Sequence, residues 1–125
     1  MIKIPLTWEY GKKKIHRISL TMNWYRNVHY QTSNKVKKMV ADYVKSFDLG
    51  KFSNVKIVYT VYFKDRSRRD LLNFVSVVDK FALDALVDKG VLIDDSYQYV
   101  REYGIKFGGI VDENYVEMEI IEIGG

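Results

Sequence analysis

Hydrophobic and polar positions change period several times along this chain. Met1 to Trp8 alternates weakly, and Ile15 to Thr21 alternates again, with Ile15, Arg17 and Ser19 set against His16, Ile18 and Leu20. Between them lie Glu9-Tyr10-Gly11-Lys12 and the run Lys12 to Lys14, so this stretch predicts two short strands joined by a basic turn. From Thr32 to Phe47 the period becomes helical: Val36, Met39, Val40, Tyr43, Val44 and Phe47 recur at three- and four-residue steps. Ser33 or Asn34 is placed to cap that helix, and Asp48-Leu49-Gly50 to end it. Asn54 to Phe63 alternates strictly, with Val55, Ile57, Tyr59, Val61 and Phe63 on one face.

After a charged loop, Asp65 to Arg69, a second helix is predicted over Leu71 to Val87. Its apolar stripe is Phe74, Val77, Val78, Phe81, Ala85 and Leu86, and Gly90 stops it. Val91 to Ile93 steps into Asp94-Asp95. Tyr97 to Phe107 and Tyr115 to Ile123 predict a final hairpin, turning around Gly108-Gly109 and Asp112-Glu113-Asn114. The predicted order is β-β-α-β-α-β-β. That is an α+β fold, with two helices on one face of a mixed or mainly antiparallel sheet.

Composition narrows the chemistry. With 125 residues, 47% of them apolar, the chain suits one domain, 1–125, with a core of its own. The absence of cysteine excludes disulfides, thiolate metal sites and cysteine nucleophiles. The two histidines, His16 and His29, belong to no metal-binding pattern, so a bound metal would be held by oxygen, which points to magnesium or manganese. A net charge of +4 permits a polyanionic partner without requiring one. No apolar run approaches the roughly 20 residues that span a bilayer, and the N-terminus lacks a signal-peptide core. The expectation is a cytoplasmic protein with no membrane association.

The candidate chemistry lies between Arg66 and Asp95. On an ideal helix Asn73, Lys80 and Asp84 share one face within about 40°. Asp70 stands where the loop enters the helix, and Asp94 and Asp95 follow the turn after it. Carboxylates there would hold a cation, a lysine would assist at a phosphate, and Arg66, Arg68 and Arg69, with Lys64, would hold backbone phosphates. An ordinary reading of the same residues also exists. Asp70 serves as a helix cap, Lys80 and Asp84 form a surface i,i+4 pair, and Asp94-Asp95 makes a turn.

The segment Arg68-Arg69-Asp70-Leu71-Leu72-Asn73, followed by Lys80, Asp84-Ala85-Leu86, Gly90 and Asp94-Asp95, resembles the RusA family of Holliday junction resolvases. Thr21-Met22-Asn23-Trp24-Tyr25-Arg26 also resembles an early element of that family, and the likeness spans roughly residues 15 to 123. The resemblance implies a RusA-like fold and a homodimer that resolves four-way DNA by paired symmetric nicks with magnesium or manganese, in recombination and repair, often encoded by prophages. It implies that Asp70 and Asp95 are metal ligands essential for cleavage, that Lys80 is catalytic, and that Arg69 contacts DNA; Arg66, Arg68 and Asn73 beside it are expected to bind DNA on their own chemistry. Two departures bear on this. The family's second aspartate is Leu72 here, and Lys80 stands four residues farther from Asn73 than in better-known members. Four residues are about one helical turn, so Lys80 keeps its facing. The inserted turn carries Asp79, which, like Asp84 and Asp94, is a candidate for the missing ligand. The alternative expectation is a catalytically impaired protein that binds junction DNA on the same fold.

Overall fold

A computed structural model describes residues 1–124. In order, the chain forms β1 (Ile2–Pro5), β2 (Thr7–Tyr10), β3 (His16–Ser19), α1 (Met22–Asn27), α2 (Tyr30–Lys45), β4 (Val55–Phe63), α3 (Leu71–Lys89), β5 (Val100–Ile110) and β6 (Tyr115–Glu122). The strict alternation of β4 organises the rest. Val55, Ile57, Tyr59, Val61 and Phe63 are buried, while Lys56, Val58, Thr60 and Tyr62 between them are half-buried. One face of β4 therefore packs under the helices and the other stays partly open.

β4 lies inside a four-stranded sheet of order β1-β6-β4-β5. β5 runs parallel to it, and β6 runs antiparallel to both β4 and β1. The expected final hairpin is thus corrected: β4 separates β5 from β6. The cause is α3. A strand–helix–strand crossover returns the chain parallel to β4 along one side and leaves only the other side for β6. Val111 to Asn114 carry the chain across the end of β4. There the Val111 N–H donates to the Phe63 carbonyl at 2.8 Å, and Asn114 Oδ1 accepts from the Lys64 N–H at 2.8 Å.

Gly108 makes no turn either. Val61 pairs with Phe107 and Tyr62 with Gly109, so Gly108 is the extra residue of a bulge within β5. A Cβ at Gly108 would stand 2.6 Å from the Tyr62 ring and 2.7 Å from the Thr60 methyl group. Only glycine fits so close to the neighbouring strand.

The N-terminal strand expected over Met1 to Trp8 breaks at Leu6. β1 joins the main sheet, and β2 pairs with β3 in a separate two-stranded sheet. Leu6 is fully buried at the junction. Its N–H donates to the Asn114 carbonyl at 3.1 Å, and its own carbonyl accepts from the Leu20 N–H at 2.8 Å. The basic turn stands as expected, with Lys12, Lys13 and Lys14 exposed between β2 and β3.

Three helices form where two were expected. The extra one, α1, is nucleated by Thr21, whose hydroxyl accepts from the Trp24 N–H at 3.0 Å. His29, not Ser33 or Asn34, caps α2, with Nδ1 accepting from the Gln31 N–H. α2 also ends before the predicted Asp48-Leu49-Gly50 stop. Lys89 Nζ donates to the carbonyls of Lys45 and Phe47, at 2.6 Å each, and so ties the end of α2 to the end of α3. Gly90 ends α3 as expected, with φ of 85°. The stripes of α2 (Val36, Val40, Val44) and α3 (Phe74, Val77, Val78, Phe81, Ala85, Leu86) are buried in one core with β4. The α+β class holds, but the order is β-β-β-α-α-β-α-β-β. No helix among the described residues is long and apolar enough to cross a membrane.

Candidate functional site

The most unusual polar group in the protein is Asp79. It sits midway along α3 and points into the sheet rather than toward solvent. Its Oδ1 accepts from the Tyr59 hydroxyl at 2.5 Å, and its Oδ2 accepts from the Tyr103 hydroxyl at 3.0 Å. Tyr59 lies on β4 and Tyr103 on the adjacent β5, and their rings stack at 6.5 Å. Burial raises the Asp79 carboxyl above the ordinary carboxylate range. The two tyrosine bonds oppose this, and the nearby charges of Asp95 and Asp84 add to it. The same burial, together with the Asp79 charge, pushes both tyrosine hydroxyls up. A pair of tyrosines therefore holds an acid where acids are disfavoured.

Asp84 and Asp95, whose charges act on Asp79, belong to a separate acidic groove. Asp84, Asp94 and Asp95 line a groove of about 470 Å³ with Asp88, Lys37 and Lys45. Lys37 of α2 pairs with Asp84 at 2.7 Å, and Lys45 pairs with Asp88. Asp94 and Asp95 are exposed in the loop that leads to β5. The charge of Asp95 thus acts on Asp79 from a different part of the chain.

Asp70 lies elsewhere. It is the residue at which α3 begins, nine residues before Asp79, so about 13 Å of helix separates the two. Its carboxylate is exposed and makes no capping bond. Beside it, Arg66 and Arg68 are exposed and form no ion pair among the described residues. Arg69 is engaged within its own loop. It pairs with Asp65 at 2.8 Å, donates to the Ser67 carbonyl at 3.2 Å and lies over the Phe63 ring at 4.8 Å, with its side chain only 19% exposed. That pairing, with the Ser67 bonds, holds the Asp65 carboxyl well below the usual range. The loop borders an apolar groove of about 490 Å³ walled by Phe63, Leu71, Phe107 and Ile110.

The predicted face of Asn73, Lys80 and Asp84 exists, and it meets the other helices. Asn73 Oδ1 accepts from the Met22 N–H at 3.1 Å, at the first residue of α1. Lys80 is exposed, and its ammonium lies 5.9 Å from the ring centre of Tyr25, also on α1. Trp24 and Tyr25 both pack edge-on against Phe81. Two segments far apart in sequence, Thr21 to Arg26 and Asn73 to Phe81, therefore form one surface.

No protein-family model matches this chain, and no curated protein matches it.

The donors suit one kind of metal. Among the described residues no three His, Asp or Glu side chains gather closely enough to cage an ion. Magnesium does not require such a cage. It commonly takes one or two carboxylates, keeps several waters and completes its shell with substrate phosphates. Asp79 with Asp95 offers oxygen only, at a place where negative charge is already unfavourable. The residues present fit a weak, water-rich magnesium or manganese site of that type. Tyr59 and Tyr103 were not anticipated from the sequence as site residues. The available signal was Tyr59 itself, a hydroxyl in an otherwise apolar core-facing row, which must find a partner when buried.

Proposed function

We propose that this protein is a metal-dependent, structure-selective endodeoxyribonuclease that resolves four-way DNA as a homodimer. The observation that carries the proposal is Asp79. It is an acid held in a disfavoured environment by Tyr59 and Tyr103, with Asp95 close enough to raise its proton affinity further. Perturbed carboxylates cluster at functional sites, and that is the ground for the reading. Asp79 and Asp95 would hold magnesium or manganese, with Asp84 and Asp94 beside them. When bound, the cation would neutralise charge at a phosphodiester and activate water. Lys80, exposed one position along the helix, would meet the phosphate. Arg66 and Arg68, and the exposed Lys12 to Lys14 turn, would bind flanking backbone as a salt-sensitive positive surface. Asp70, about 13 Å of helix away at the start of α3, would act apart from that pair, on the DNA side beside Arg66 and Arg68. The resemblance to resolvases in the Arg68 to Asp95 segment supplies the four-way junction as substrate and the dimer as the working form.

The test is nicking of a synthetic four-way junction with magnesium or manganese by wild type, Asp70→Asn, Asp79→Asn, Lys80→Ala and Asp95→Asn. Paired nicks that disappear in Asp79→Asn and Asp95→Asn support the reading. An inert wild-type dimer under both metals refutes it. Leu72 gives a second reading its motive, because it is 56% exposed where the family carries an acid. On that reading the protein binds junctions and leaves them uncut. A gel shift with the junction, without nicks under either metal, selects it.

A further inference from the structure

β5 is an open edge. It is eleven residues long, pairs with β4 on one side, and among the described residues pairs with nothing on the other. Alternate backbone N–H and C=O groups along it therefore face outward. Its side chains add to the exposure. Tyr103, Ile105 and Phe107 continue the rows of Ile57, Tyr59 and Val61, which are wholly buried, yet the three are 45%, 38% and 52% exposed. An apolar row on the core face of a sheet that remains this open at its edge is a docking surface in waiting.

The sequence of the edge complements itself. A two-fold axis normal to the sheet at Gly104 keeps Tyr103, Ile105 and Phe107 of both copies on the helix-bearing face. Antiparallel pairing about that axis sets Glu102 opposite Lys106 of a second copy, twice over, on the outer face. It sets Tyr103 opposite Ile105, twice over, on the inner face, with Phe107 beyond them and Arg101 in the bulge at the start of β5. The two neighbouring registers lose this. Centring on Tyr103 places Glu102 against a glycine, and centring on Ile105 places it against the bulge at Gly108. We infer that β5 is the interface between two copies of this chain, joined antiparallel about Gly104 into one sheet of four strands from each copy. This deepens the dimer in the proposed function and rests on that part of it. The two Asp79 sites would open on the same face, one on each side of the axis.

The contact is modest. Tyr103 and Phe107, each about half exposed, bring on the order of 100 Å² of ring apiece. With the ladder and the charge pairs this falls short of the roughly 800 Å² per partner of a standard stable interface. The dimer should accordingly dissociate measurably on dilution.

The natural chain has no cysteine, so one introduced thiol reads the register without background. Gly104→Cys is tolerated, because a Cβ at Gly104 meets nothing closer than 3.5 Å. Directly opposed strand residues lie about 5 Å apart, within disulfide reach. Oxidised G104C should run as a covalent dimer on a denaturing gel. K106C should stay monomeric, because its two thiols would be offset by four residues, about 13 Å. In sedimentation equilibrium without DNA, E102K and K106E should each weaken association about tenfold, and the double variant should restore it. A wild type that remains monomeric up to about 100 µM overturns the inference. So does equal crosslinking of G104C and K106C, or a double variant that fails to rescue. None of these readings involves cleavage, so a β5 dimer that never nicks DNA counts against the nuclease alone.

Discussion

Asp79→Asn should make the protein more stable at pH 8 while removing its function. The perturbation keeps the side chain's size and takes away its charge. Asn Oδ1 still accepts from one tyrosine, and its amide still meets the other hydroxyl oxygen. The sign follows from the balance at this carboxyl. Burial and the charges of Asp95 and Asp84 raise its pKa more than the Tyr59 and Tyr103 bonds lower it. The folded protein therefore binds this proton more tightly than the unfolded chain does. Stability from the protonated form is fully present below the unfolded pKa near 3.8, and it is lost as pH rises through the higher folded value. Asparagine mimics the protonated form at every pH. Each pKa unit of elevation is worth about 1.4 kcal/mol to the variant at pH 8. In a domain of this length 1 kcal/mol moves the melting temperature by about 4 °C.

The assay is thermal unfolding of both proteins from pH 4 to pH 8, without metal and then with magnesium. The melting temperatures should diverge as pH rises, with Asp79→Asn the more stable, and converge toward pH 4. Magnesium should raise the wild type selectively, because a ligand stabilises only the state that binds it. A variant less stable than wild type at pH 8, or a gap that ignores pH, refutes the account of Asp79 as a strained acid. A magnesium effect equal in both proteins removes it as a ligand.

Three further outcomes follow from the geometry. Tyr59→Phe deletes a buried donor to a charged group, which should cost about 1.5–3 kcal/mol at pH 8 and raise the proton affinity of Asp79 further, so half-maximal magnesium binding should move to higher pH; denaturant titration and metal titration check the two parts. Gly108→Ala places a methyl 2.6 Å from the Tyr62 ring and should destabilise by about 1–3 kcal/mol through overpacking, where Gly104→Ala, with no contact closer than 3.5 Å, should be nearly neutral. Asn73→Ala removes the acceptor for the first N–H of α1 and should cost about 1 kcal/mol, reported by a change in Trp24 fluorescence as α1 loosens from Phe81.

Local pattern carried most of the fold. The strict alternation of β4 and the stripes of α2 and α3 are read correctly because each buries a face in one core. What escaped were features decided by partners distant in sequence. α1 is six residues, too short for periodicity to register, and it depends on Asn73 from α3. The end of α2 is set by Lys89, more than forty residues away. The β5–β6 segment has the sequence of a hairpin, with glycines and an Asp-Glu-Asn turn. It fails to pair because α3 has already committed β5 to the far side of β4. Gly108 looks like a turn residue for the same reason that it suits a bulge: both need a position without a side chain.

The candidate site divides along the same line, and the division bears on function. Helical spacing correctly placed Asn73, Lys80 and Asp84 on one face. That face borders α1 and α2: Asn73 binds α1, Lys80 lies near Tyr25, and Asp84 pairs with Lys37. Asp79, one residue before Lys80, turns the other way, onto the sheet. On an ideal helix that 100° step argues against the two acting together. The structure keeps that separation: Asp79 takes its two donors from the strands beneath, and Lys80 lies exposed near Tyr25 of α1. An exposed lysine above and a tyrosine-held acid below, on consecutive residues, put opposite charges at the two sides of one helix turn. The charge of Asp95, in the loop before β5, adds to the cost of ionising that acid. Asp79 thus has a structural role of its own, as the acceptor for the Tyr59 and Tyr103 hydroxyls. The core contact would be satisfied by an asparagine at lower cost. Under the proposed function the negative charge at Asp79 serves a cation, and the magnesium arm of the Asp79→Asn melting experiment tests it.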